Sequence, residues 1–212
     1  MSLRLLLFCV VMIVMPFSVF AAGSTAVAGN SQTIVVLGDS LTAGYGLARE
    51  DSFPSQLEAA LREIDRKVKV INSGVSGDTS AGGLSRIDWA LADNPDLVIL
   101  ALGANDALRG FEPDITRKNL AAIIEKVLEK DIKILLAGMK APRNLGPVYY
   151  TKFDRIYTEL AMEYNIQLYP FFLEGVATEA ALNQRDGIHP NRKGVEVVVK
   201  NIMPVVINIL AR

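Results

Sequence analysis

Histidine, cysteine and tryptophan are almost missing from this chain: its 212 residues include one of each. A single cysteine excludes an intrachain disulfide, and a single cysteine with a single histidine excludes a Cys/His zinc cage. An excess of either charge is missing as well. The 22 Lys and Arg residues face 23 Asp and Glu, a formal net charge of −1, so there is no electrostatic case for nucleic acid as a partner. Repeats and low-complexity stretches are absent. What is there is an ordinary globular mixture, 50% apolar and 21% charged, which excludes a disordered or collagen-like chain. The length suits one full hydrophobic core. Any imidazole chemistry must use His189.

Arg4 is the only charge before Asp39, and Leu5 to Phe20 is a nearly unbroken apolar run followed by small residues. This is the pattern of a secretory signal peptide over residues 1–28, with cleavage after Ala21 or Ala28. The alternative is an uncleaved anchor, since the run approaches bilayer-spanning length. Pro16 interrupts it and no basic stop-transfer cluster follows, which favours cleavage. Cys9 then leaves with the leader. Residues 29–212 remain as a single domain, monomeric, with no stable membrane span, located in the periplasm or outside the cell.

The remainder alternates strand and helix. Short apolar runs predict strands at 33–37, 68–71, 97–102, 134–137 and 166–169, with 97–102 the most apolar and therefore central. Between them lie helical patterns. One is capped by Asp51 or Ser52 with Pro54 in its first turn, one covers 80–92 with Trp89 against the sheet, and one is capped by Asp114. Two more occupy 147–164 and 192–210, the last kinked at Pro204. A β-α-β rhythm predicts α/β architecture: a parallel sheet with helices on both faces, its ligands bound beyond the carboxyl ends of the strands.

The loops at those ends carry the chemistry. The first strand runs into Gly38-Asp39-Ser40, the second into Gly74-Val75-Ser76-Gly77-Asp78-Thr79, and the third into Gly103-Ala104-Asn105-Asp106. Asp186-Gly187-Ile188-His189 precedes the last helix. Each loop alone has a plain reading as a turn or a cap. Together they supply the parts of serine hydrolysis. Ser40 is the candidate nucleophile, His189 the available imidazole base, and Asp186 the group that orients the base. The Ser40 and Gly77 N–H groups and the Asn105 amide are candidate oxyanion donors. The motif is not the G-x-S-x-G elbow, because Thr42 stands where that pattern needs its second glycine.

These loops resemble the four blocks of the SGNH (GDSL) hydrolases: GDSL at 38–41, glycine at 77, GxND at 103–106 and DxxH at 186–189. The stretches GDSLTAGYG, SGDT, GANDALRGFEP and DGIHPN are similar to those of bacterial members that hydrolyse thioesters, aryl esters and lysophospholipids. The resemblance runs from about Thr33 to the last helix. It implies a flavodoxin-like three-layer α/β/α fold around a five-stranded parallel sheet. It also implies an acyl-enzyme on Ser40 with Asp186 and His189, oxyanion donors Ser40, Gly77 and Asn105, no metal and no cofactor. The implied substrate is a small acyl ester or thioester. The one variation is Ala104, where close relatives often carry glycine.

Other residues have duller readings. Asp39 is expected to fix its loop through backbone N–H groups, and Asp106 to be structural. Leu108, Phe111, Met139, Pro142 and Ile188 either line an acyl groove or cap the core. Arg109 either steers an anionic headgroup or is a solvated loop residue. Three competing functions remain: an O-deacetylase of carbohydrate or peptidoglycan on the same fold, a Mg²⁺- or phosphate-binding module using Asp39, Asp106 and Asp186, and a catalytically silent binding protein. Activity is expected to rise with pH as His189 loses its proton.

Overall fold

The computed structural model describes residues 31–211. The leader segment, both cleavage positions and Cys9 lie outside the described residues.

Five strands form one parallel sheet: β1 (Gln32–Gly38), β2 (Val68–Gly74), β3 (Leu97–Ala101), β4 (Lys133–Ala137) and β5 (Gln167–Tyr169), in the order β2-β1-β3-β4-β5. The central β3 is buried along its whole length, and Ile34 to Leu37 of β1 are fully buried. Strands covered on both faces read as continuous apolar runs, which is why these two were legible as strands. The edge strand β2 is only partly covered, with Val68 and Ser73 buried and Lys69 and Asn72 exposed.

Seven α-helices accompany the sheet among the described residues: α1 (Ser40–Ala43), α2 (Phe53–Glu63), α3 (Ser80–Ala90), α4 (Ala104–Leu108), α5 (Pro113–Leu128), α6 (Pro147–Glu163) and α7 (Arg192–Leu210). The crossover from β1 to β2 runs one way along the sheet and every later crossover runs the other way. Right-handed connections therefore place α2 on one face and α3, α5 and α6 on the other. The helix contacts agree: α3 packs on α5 and α5 on α6, whereas α2 packs on α7. The direction reverses between β1 and β3, and a crevice opens at such a reversal beyond the strand ends.

Local details differ from expectation in three places. Ser52 occupies the N-cap of α2, but its hydroxyl donates to the Arg49 carbonyl at 2.8 Å instead of capping the helix. Helix α5 begins one residue before Asp114, with Glu112 at the cap and Pro113 in the first turn. Asp114 instead accepts from Lys152 Nζ at 2.7 Å. Trp89 is not against the sheet. The buried stripe of α3 is Ser80, Gly83, Ile87 and Ala90, which turns Trp89 outward to 71% exposure. Helix α7 runs through Pro204 as one element, with the ring on the exposed side. Lys200, whose carbonyl loses its helical N–H partner there, is also on the exposed side, where water can serve that carbonyl.

Candidate active site

Ser40 opens α1, separated from the end of β1 only by Asp39, the N-cap. Asp39 Oδ1 accepts the Leu41 N–H at 3.0 Å, and its carbonyl accepts from the Ala43 N–H at 2.9 Å. The sharp turn from strand to helix lifts the Ser40 side chain to the crevice, where it is half-buried.

The His189 loop crosses over this crevice from the segment between β5 and α7. His189 Nε2 lies 2.9 Å from Ser40 Oγ, and its Nδ1 lies 2.8 Å from Asp186 Oδ2. Asp186 Oδ1 accepts the backbone N–H groups of Ile188 and His189 at 3.0 and 3.1 Å. The bond to His189 and these two N–H bonds hold the Asp186 carboxyl down at about 2. A carboxylate on Nδ1 fixes the tautomer that leaves Nε2 free to accept the serine proton. The loop itself is fastened. Asn183 and Pro190 form an antiparallel bridge, Gln184 Nε2 donates to the Tyr45 carbonyl at 2.7 Å, and Asn191 caps α7 through the Gly194 N–H. The Tyr45 ring lies 4.7 Å from the imidazole, centroid to centroid.

Three groups converge beside Ser40. Neither the Ser40 N–H nor the Gly77 N–H donates to an acceptor among the described residues. Gly77 has a φ of +80°, a conformation that costs an L-side chain roughly 1–2 kcal/mol. Asn105 projects from α4, and its amide donates to the Asp78 carbonyl at 2.9 Å and to Asp39 Oδ2 at 3.3 Å. Both of its protons are thus engaged, and a bond to a substrate oxygen would replace or share the longer one. Asp39 is fully buried. Its burial pushes the carboxyl up to about 6, against the opposing pull of the Leu41 N–H, His189 and Asn105.

The aspartates considered for a metal pocket are spent separately. Asp39 serves Leu41 and Asn105, and Asp186 serves His189. Asp106 is buried and accepts from the Ser80 N–H at 2.8 Å, from the Ser80 hydroxyl and from the Thr116 hydroxyl, pinning α4 to α3 and α5. Among the groove candidates, Leu108, Phe111 and Ile188 are exposed and Pro142 is half-buried. Met139 is 3% exposed and belongs to the core, so capping the core is its role. Arg109 is exposed, yet its Nη2 donates to the Gly77 carbonyl at 2.8 Å. It is a tie on the Gly77 loop rather than a free cation.

Sequence reasoning missed Arg86. From α3 its Nε meets Asp78 Oδ2 at 2.8 Å, its Nη1 donates to the Ser73 carbonyl at 2.7 Å, and its Nη2 donates to the Gly38 carbonyl at 2.9 Å. Two of its three partners are backbone oxygens, which leave no residue pattern to read.

A parallel α/β sheet carrying a Ser–His–Asp chain at its carboxyl end, beside two free N–H groups and an amide, defines a class: the serine hydrolases. The GDSL-like Lipase/Acylhydrolase family matches residues 36–197, and the chain belongs to it. It is 39% identical over 175 residues to an esterase TesA of Pseudomonas aeruginosa, covering 82% of this chain and 87% of the relative. It is 42% identical over 167 residues to an arylesterase of Vibrio mimicus, with 78% and 84% covered. A protein named thioesterase 1/protease 1/lysophospholipase L1 of Escherichia coli K12 is 37% identical over 184 residues, with 84% and 87% covered. A crystal structure of TesA superposes with a TM-score of 0.80 at 38% identity, covering 84% of this chain and 99% of that one. The protein is a serine ester hydrolase of this family.

Proposed function

We propose that Ser40 attacks the carbonyl carbon of an acyl ester or thioester while His189 takes its proton. The observation that carries this reading is the chain Ser40 Oγ–His189 Nε2–His189 Nδ1–Asp186 Oδ2, with both links within 2.9 Å. The tetrahedral oxyanion is held by the Ser40 and Gly77 N–H groups and by the Asn105 amide, released from its longer bond to Asp39. His189 then protonates the departing alcohol or thiol, and water hydrolyses the acyl-enzyme by the reverse path. Preorganised donors of this kind are each worth roughly 10²–10³ in turnover.

The proposed substrates are acyl thioesters, aryl esters and lysophospholipids. The names of the relatives favour this range, and the exposed Leu108, Phe111 and Ile188 offer the acyl chain an apolar rim with Pro142. Residues 1–28 act as a leader removed on export, leaving 29–212 as the hydrolase domain in the periplasm. Labelling with a fluorophosphonate and assay of Ser40→Ala on an acyl series from acetate to palmitate test the proposal. Loss of both label and turnover is expected, with turnover of the native enzyme extending to medium or long acyl thioesters. Retained activity in Ser40→Ala would overturn the nucleophile. Turnover confined to acetyl esters of sugars would overturn the substrate range in favour of a deacetylase.

A further inference from the structure

Outside the triad, one guanidinium touches the supports of every candidate oxyanion donor. Arg86 donates to the Gly38 carbonyl, two residues before Ser40, and to the Ser73 carbonyl near the end of β2. Its Nε pairs with Asp78, the residue after Gly77. The Asp78 carbonyl in turn accepts the Asn105 amide at 2.9 Å. The ion pair is largely shielded, with side-chain exposures of 19% for Arg86 and 12% for Asp78, so solvent and salt do little to weaken it. A planar fork with fixed donor directions sets the spacing of three acceptors in a way that a lysine ammonium does not.

We propose that Arg86 is a positioning residue for catalysis: it sets the separation of the Ser40, Gly77 and Asn105 donors and so governs stabilisation of the transition state. This rests on the oxyanion reading given above. A donor frame displaced by a fraction of an ångström should bind substrate nearly as before but lose affinity for the tetrahedral state.

The test uses Arg86→Lys, Asn105→Ala and the double variant. The readouts are kcat and KM on a p-nitrophenyl ester, inhibition by an alkylboronic acid, whose serine adduct is tetrahedral, and inhibition by a fatty carboxylate. Arg86→Lys is expected to lower kcat about 10- to 100-fold with KM within about twofold. Boronate affinity should fall by a similar factor and carboxylate affinity should hold. In the Asn105→Ala background the Arg86→Lys effect should shrink, because both act through one donor frame. Asp78→Asn keeps an oxygen for the guanidinium and covers the case in which Arg86→Lys does not fold; its kcat and boronate affinity should fall together. If Asn105→Ala lowers kcat while Arg86→Lys or Asp78→Asn changes only thermal stability, the role of Arg86 is refuted and the oxyanion reading stands. Full additivity in the double variant refutes it as well. If Asn105→Ala leaves kcat and boronate affinity unchanged, the oxyanion reading fails and the inference falls with it.

Discussion

Replacing Asp39 by Asn should make this enzyme more stable at neutral pH. Asp39 is fully buried beside Ser40, and desolvation raises its carboxyl from 3.8 to about 6. At pH 7 the folded protein therefore holds an ionised group that would sooner be neutral. At ~1.4 kcal/mol per pH unit, the gap between 3.8 and about 6 corresponds to a cost of about 3 kcal/mol. In Asp39→Asn the side-chain oxygen still accepts the Leu41 N–H. The new amide, however, faces the Asn105 amide, which now donates to Asp39 at 3.3 Å. Two donors meet, and the lost bond costs about 1 kcal/mol. The net gain is about 1–2 kcal/mol, or ~3–6 °C in melting temperature for a chain of this size.

The pH dependence separates this account from a simple packing effect. Between 3.8 and about 6 the folded state binds a proton at Asp39 that the unfolded state does not. The native protein should therefore lose stability as pH rises through that window. The variant lacks that slope, so its advantage should grow as pH rises through the window, be complete above pH 6, and vanish or reverse near pH 4. Asp186 acts in a different window. Held down at about 2 by His189 and two backbone N–H groups, it contributes stability above 3.8 that disappears as pH falls towards 2. Urea unfolding of both proteins at pH 4, 6 and 8 supplies the difference. A variant less stable than the native protein by the same amount at every pH would refute the reasoning.

Two further outcomes are expected. Asp186→Asn should retain the fold, because the loop is also fastened by the bridge between Asn183 and Pro190 and by Gln184. Its turnover should nevertheless fall by up to ~10⁴, since an amide at Nδ1 no longer fixes the productive tautomer; steady-state kinetics on folded protein checks this. Leu135→Ala, at a fully buried position of β4, should cost ~2–5 kcal/mol, whereas Trp89→Ala, at 71% exposure, should stay within ~0.5 kcal/mol. Paired chemical denaturation curves measure both.

The legible parts of this fold are those where one local pattern carries the whole signal. Ile34 to Leu37 and Leu97 to Ala101 are apolar because helices cover both faces of their strands, and that burial is written in every residue. The contact of Ser40, His189 and Asp186 is legible for a different reason. With a single histidine in the chain, Ser40 and Asp186 had one imidazole to share. Helix phase is less secure. The buried stripe of α3 is Ser80, Gly83, Ile87 and Ala90, mostly small residues that carry little apolar signal, and apolarity alone places Trp89 inward. Met139 looks like a rim residue when its place just after β4 is the only guide, yet it is buried in the core.

The support around the site was hidden by the nature of hydrogen bonding. Arg86 acts on the carbonyls of Gly38 and Ser73, and Arg109 on the carbonyl of Gly77. Every residue type presents the same carbonyl, so the acceptor imposes no choice of amino acid at its own position. Only the donor is constrained, and an arginine on a helix surface otherwise reads as a solvated charge. The candidate reacting atoms of this chain can therefore be read from side chains alone. The frame that fixes their spacing requires the fold, which brings Gly38, Ser73 and Asp78 within reach of one guanidinium. On the role proposed for Arg86, its substitution should alter catalysis while every residue of the four sequence blocks keeps its identity.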